Sequence, residues 1–184
     1  MRRPYPLILA ALLAGCSTPA LPAPPPASPS VSVSVAPTCP ADGVRVELGT
    51  GDAAAGLRVL DFFLVNCGTA VVKVKGYPAV RLLDEQRRNV SVNILQGTYV
   101  ITGSVPDWNK PPREVVLRPG ERATAVVAWR NTYDNLADPP VNATHLEITP
   151  TAGGTAQVLT PRGDIDLGST GRIGVSSWQP RSDR

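Results

Sequence analysis

Glu114-Val115-Val116-Leu117-Arg118-Pro119-Gly120-Glu121, continued by Arg122-Ala123-Thr124-Ala125-Val126-Val127-Ala128-Trp129-Arg130, is the stretch from which the fold is read. Pro119 presets φ for the first central position of a turn, and Gly120 supplies the positive φ of the second. Strand-forming residues flank the turn on both sides. The stretch therefore predicts two strands, joined as a hairpin or as a tight corner between two sheets.

Working outward, the same signals recur. Residues 57–65 are apolar on both faces, with Val59, Phe63 and Val65 on one and Leu60, Phe62 and Leu64 on the other. That marks a strand in the middle of a core. Residues 44–48 alternate with period two, and so do Val72 and Val74 against Lys73 and Lys75. Gly76-Tyr77-Pro78 interrupts, and residues 80–83 resume the strand pattern. Val90, Val92 and Ile94 form a further alternating set, followed by Tyr99 and Ile101. Downstream, Leu146 and Ile148 alternate with His145, Glu147 and Thr149. Residues 157–160 and 172–178 supply the last strands, and 179–184 read as a flexible tail. No stretch of useful length has helical periodicity. About nine short strands with Gly/Pro turns predict an all-β chain folded as an antiparallel β-sandwich over residues 39–178.

The beginning of the chain has a different character. Arg2 and Arg3 precede a short apolar run and then Leu13-Ala14-Gly15-Cys16. Charge, apolar run and small residues in that order make a secretory signal, and the run is shorter than the roughly 20 residues of a bilayer span. Residues 13–16 resemble the lipobox of bacterial lipoproteins. The resemblance implies removal of residues 1–15 and a lipid on Cys16, which anchors the chain to the extracytoplasmic face of the cell membrane. Residues 17–38 are rich in Pro, Ala and Ser and cannot bury enough surface to fold. They form, with Cys16, a disordered tether able to reach about 70 Å from the membrane.

Composition narrows the function. Of 18 Lys+Arg, two lie in the leader, which leaves 16 against 15 Asp+Glu and no basic run. Nucleic acid is not an expected partner. Once Cys16 is assigned to lipid, Cys39 and Cys67 remain as an even pair in an oxidising setting, which predicts a disulfide. A two-cysteine metal site competes with that reading, but His145 is the single histidine of the chain.

The order of motifs carries a family resemblance. Cys39, then Asn66 closing the central strand, then Gly76-Tyr77-Pro78, then Leu117-Arg118-Pro119-Gly120-Glu121, then an apolar strand ending in Trp129 resemble a domain of unknown function common in actinobacterial lipoproteins and secreted proteins. The likeness runs from Cys39 to about Trp178. It implies an immunoglobulin-like sandwich and no assigned activity. Many members carry a second cysteine pair in the C-terminal half; this chain has none there.

No Gly-x-Ser-x-Gly elbow is present, and no catalytic residue or cofactor is expected. His145 reads as a solvent-facing strand residue. Residues 49–56 superficially resemble a phosphate loop, but they lack the Lys-Ser/Thr pair and lead into a strand, so they read as a turn. Arg162-Gly163-Asp164 is an adhesion tripeptide by spelling only. Asp164 and Asp166 share a face, yet calcium needs six or more oxygens, so no metal is expected.

Two loops exceed hairpin length. Residues 103–113 contain Trp108 and Asn109, and residues 131–141 contain Tyr133 and Asp134. If the stretch around Pro119 is a hairpin, both loops emerge at one end of the sandwich, and these four residues are the candidate binding surface. In the competing reading the two rings fold back to cap the sandwich, which the usual burial of large aromatics favours. The expected function is a non-catalytic binding or interaction module held to the membrane by the Cys16 lipid. Its partner would be an envelope protein or a small ligand. A structural envelope spacer is the alternative, and a hydrolase is third.

Overall fold

The computed structural model describes residues 38–181. The leader, the Cys16 anchor and residues 17–37 of the tether lie outside the described residues. Within them, no helix is long and apolar enough to cross a membrane.

The described chain runs through β1 (Val44–Ala54), β2 (Leu57–Asn66), β3 (Val72–Val74), β4 (Ala79–Leu83), β5 (Asn89–Val90) and β6 (Asn93–Gln96) to a single helical turn, α1 (Tyr99–Thr102). It continues through β7 (Val115–Leu117), β8 (Arg122–Arg130), β9 (Asn142–Ala143), β10 (His145–Thr149) and β11 (Gln157–Leu159). The last strands are β12 (Ile165–Asp166), β13 (Arg172–Val175) and β14 (Gln179–Pro180). The fold is therefore mostly β, with almost no helix.

A six-stranded sheet has the order β1-β2-β8-β13-β6, with β14 also on β8. A four-stranded sheet has the order β11-β10-β4-β5, and β12-β9 and β3-β7 form two-stranded sheets. Alternation explains β1, whose Val44 and Val46 are buried while Arg45 and Glu47 pair at 2.6 Å on the other side. Leu60, Phe62 and Leu64 of β2 join Ala125 and Val127 of β8, Val80 and Leu82 of β4, and Leu146 and Ile148 of β10 in one apolar cluster. The large sheet and the four-stranded sheet thus share a core. Trp178 is wholly buried in it, edge-on to Phe62 with ring centroids 5.4 Å apart. Its indole N–H donates to the Pro150 carbonyl at 2.8 Å, which satisfies a buried donor. The Gln157 side-chain amide accepts from the Val46 N–H and donates to the Val44 carbonyl, closing the outer edge of β1 at that point.

The disulfide forms as predicted. Cys39 and Cys67 are bonded with Cα atoms 5.7 Å apart, which pins the entrance of the domain beside the end of β2. A disulfide points to an extracytoplasmic location.

Several expectations are corrected. The Pro119-Gly120 turn is the corner, not the hairpin: β7 pairs with β3, whereas β8 pairs with β2. Gly120 does adopt positive φ, at 83°. Residues 49–54 are strand rather than turn, because β1 keeps its pairing with β2 past a register shift between Leu48 and Gly51. The chain reverses only at Ala55 and Gly56. Val90 and Ile94 do not share a strand. The turn at residues 84–88 folds β5 back on β4, and the chain then crosses to the large sheet as β6. Tyr99 and Ile101 fall in α1. β6 lies parallel to β13, so the sheets are not wholly antiparallel. Residues 172–178 are not one strand. The ladder stops at Val175, Trp178 turns into the core, and Gln179 and Pro180, read from sequence as tail, rejoin β8 as β14.

Candidate functional site

The outer face of the large sheet carries the candidate site. Val59 of β2, Val126 and Ala128 of β8 and Ile101 of α1 form a second, smaller apolar cluster there, and Trp108 packs against it. The segment after α1 is braced from inside. Asn109 accepts from the Thr98 hydroxyl and donates to the Gly103 carbonyl, each at 2.9 Å. Asp107 and Lys110 pair at 2.8 Å, and the Lys110 carbonyl accepts from the Ser177 hydroxyl at 3.0 Å.

Beside this segment lies a depression of about 260 Å³. Asp61 of β2 with Thr124 and Val126 of β8 make its floor. Asp107, Trp108 and Lys110 form one wall, and Gln179, Pro180 and Arg181 the other. The opening exists because the chain leaves β8 between β13 and β14. Ser176 repairs the ladder there, accepting from the Val126 N–H at 2.9 Å through its hydroxyl.

Asp61 and Phe63 stand two apart on β2, so their side chains share the outer face. Burial pushes the Asp61 carboxyl above the ordinary carboxylate range, partly offset by the Thr50 hydroxyl that bonds it and by the Arg181 charge. Arg181 lies across Phe63, its guanidinium carbon 4.5 Å from the ring centroid. Gly49 makes room for the pair. A Cβ at that position would come within 2.8 Å of the Phe63 ring and 2.9 Å of the Asp61 Cβ.

The four residues that the sequence grouped have different immediate surroundings. Trp108 is half-buried against the apolar cluster of Val59, Ile101, Val126 and Ala128. Asn109 is committed to bracing its own loop. Tyr133 is 54% exposed beyond the end of β8. Asp134 accepts from the Thr132 hydroxyl and pairs with Arg172 at 3.3 Å. Their segment is tied to residues 166–170, with Thr132 bridging Gly168 and the Asn135 N–H donating to the Ser169 hydroxyl. None of residues 131–141 lines the depression. The two loops were to share one end because β7 and β8 paired; as they do not pair, that geometric reason is gone.

Other singled-out residues have local roles. His145 Nδ1 lies 2.7 Å from the Thr144 hydroxyl. Asp166 accepts from the Gly168 N–H and the Asn131 amide. Arg162-Gly163-Asp164 forms an exposed bend. Among the described residues, no group of three or more His, Cys, Asp or Glu side chains is placed to hold a metal. The residues that sequence reasoning missed are Asp61, Thr50 and Arg181. One signal was available: Asp61 is the only charge in an otherwise apolar run from Val59 to Val65.

Residues 39–179 match the family described as Domain of unknown function (DUF4232). No curated protein and no solved structure matches the chain.

Proposed function

The chain belongs to the DUF4232 family over residues 39–179, and from that premise we propose that it is an extracytoplasmic, non-catalytic binding module. In this reading its sheets make an immunoglobulin-like β-sandwich, and a lipid on Cys16 holds it to the outer face of the cell membrane. The observation that carries the binding role is the depression on the outer sheet face, where Trp108, Asp61 and Arg181 meet from three separate segments. Concave surfaces that combine an aromatic ring with a few convergent polar groups are the usual form of a ligand site. The partner is an envelope protein or a small ligand.

A photo-crosslinking residue placed at Lys110 on the rim should trap a discrete adduct in the native envelope, and Trp108→Ala should remove it. The same probe at exposed Arg87, in the turn between β4 and β5, should trap nothing. Absence of an adduct from Lys110, or an equal one from Arg87, would overturn the assignment. The spacer reading draws support from one observation: Asp107, Asn109 and Ser177 bond within the protein.

A further inference from the structure

We propose that the depression takes a cationic ligand group, a guanidinium or alkylammonium carried on an extended chain, with Asp61 as its counter-ion and Arg181 as its built-in occupant. This rests on the binding-module reading and adds the chemistry of the ligand.

Asp61 is a half-buried acid in the middle of a sheet, a position that costs stability unless a charge or donor compensates it. The fold is shaped around it. The register shift in β1 brings Thr50 to its carboxylate, and Gly49 leaves its outer side clear. A β-bulge that re-aims side chains in this way is a feature enriched beside functional sites. Phe63 stands next to Asp61 on the same face. An acid beside an aromatic face is the arrangement that recognises a planar cation, through charge-assisted hydrogen bonds at the edge and the ring quadrupole below.

The protein already places such a cation there. Phe63 of β2 is opposite Thr124 of β8, and Thr124 is opposite Gln179 of β14. Arg181 therefore reaches over the full width of β8 to lie on Phe63. The strand that delivers it is short and is anchored through Gln179, which is buried and donates to the Ser177 hydroxyl at 2.8 Å. β14 has two residues, one of them a proline without an N–H, and the Arg181 N–H meets the Arg122 carbonyl at 3.3 Å. A ligand cation can thus replace Arg181 without breaking the sheet. On the opposite wall, Asp107 and the Trp108 ring repeat the pairing of acid and aromatic. Asp107 is bound to Lys110 in an exposed pair, an interaction worth little in water.

The test uses the oxidised full chain with N-acetyl-arginine amide, and N-acetyl-citrulline amide as the uncharged isostere. Binding is read by NMR at the Trp108 indole. The arginine probe should bind at least about tenfold more tightly than the citrulline probe, the scale of one charge-assisted hydrogen bond. Arg181→Ala should tighten arginine binding, because it removes the competitor. Asp61→Asn, which keeps an acceptor for Thr50, should abolish the preference for arginine. Equal binding of the two probes overturns the proposal. So does a failure of the arginine probe to bind both the native chain and the Arg181→Ala variant, which needs no assumption about the Asp61 variant. An adduct from Lys110 without cation binding would leave the binding module standing and remove only its ligand class.

Discussion

Asn66 ends β2 with its side chain fully buried, and three parts of the fold meet on it. Its amide donates to the Leu117 carbonyl at 2.9 Å and the Ala70 carbonyl at 2.8 Å, and its oxygen accepts from the Gly68 N–H at 3.1 Å. Its backbone closes on the turn, accepting from the Gly120 N–H and donating to the Glu121 carbonyl. Asn66→Ala leaves the buried Leu117 carbonyl without its donor and removes the side-chain bonds to Ala70 and Gly68; it should cost about 2 kcal/mol, read by urea unfolding, and a loss under about 0.5 kcal/mol would mean that water replaces the amide. Asp61 makes the opposite prediction. Burial raises its folded pKa above the unfolded value, so between the two values the native state binds more protons. The contribution of Asp61 to stability therefore falls as pH rises through that window and is level above it. The melting temperature of Asp61→Asn relative to the native chain should climb through the same window and then plateau. A melting temperature of the variant that falls relative to the native chain as pH rises through that window would contradict the sign.

At the scale of elements, β1 shows how a strand is bent to serve a site. Past Leu48 its pairing slips by one residue against β2, and the slip turns Thr50 toward Asp61. Gly49→Ala would drive a methyl group into Phe63 and the Asp61 Cβ. The strain should cost about 1–3 kcal/mol. It should also disturb the Arg181 stack, visible as a change in the Phe63 ring shifts. Wild-type stability in this variant would show that β1 shifts freely. The corner between β7 and β8 carries a related lesson. The Glu121 carboxylate accepts from the Arg118 N–H at 2.8 Å, so the turn is locally complete whichever strands it joins. Turn chemistry sets the change of direction, and long-range partners choose the sheets.

For the whole molecule, the disulfide is the constraint of largest reach. It joins residues 28 apart in sequence, so on the chain-entropy account its loss costs roughly 3.5 kcal/mol. The Cys39→Ser, Cys67→Ser double variant should show that loss as a lower denaturant midpoint, with an m-value at or above the native one because the released unfolded chain exposes more surface; an unchanged midpoint would mean that packing alone holds the entrance. The proposed anchor makes a separate prediction. Cys16→Ser should release the protein from the detergent-extracted membrane fraction or block its processing, and unchanged retention would remove the anchor from the reading.

Sequence alone determined the features whose cause is local. Period-two alternation marked β1, β3, β4 and β10, the double-sided apolar run marked β2, and Pro119-Gly120 marked a turn because φ preferences act within a few residues. The even cysteine pair marked the disulfide because redox setting and count suffice. Only the tertiary structure decided which strands pair. An apolar face is equally satisfied by many partners, so β7 could take β3 instead of β8, and Val90 and Ile94 could fall into different sheets. The same holds for the site. Asp61, Trp108 and Arg181 are far apart in sequence, and no periodicity links them. They meet because β2, the segment after α1 and β14 converge on the outer face of one sheet, and that convergence follows from packing the chain as a whole.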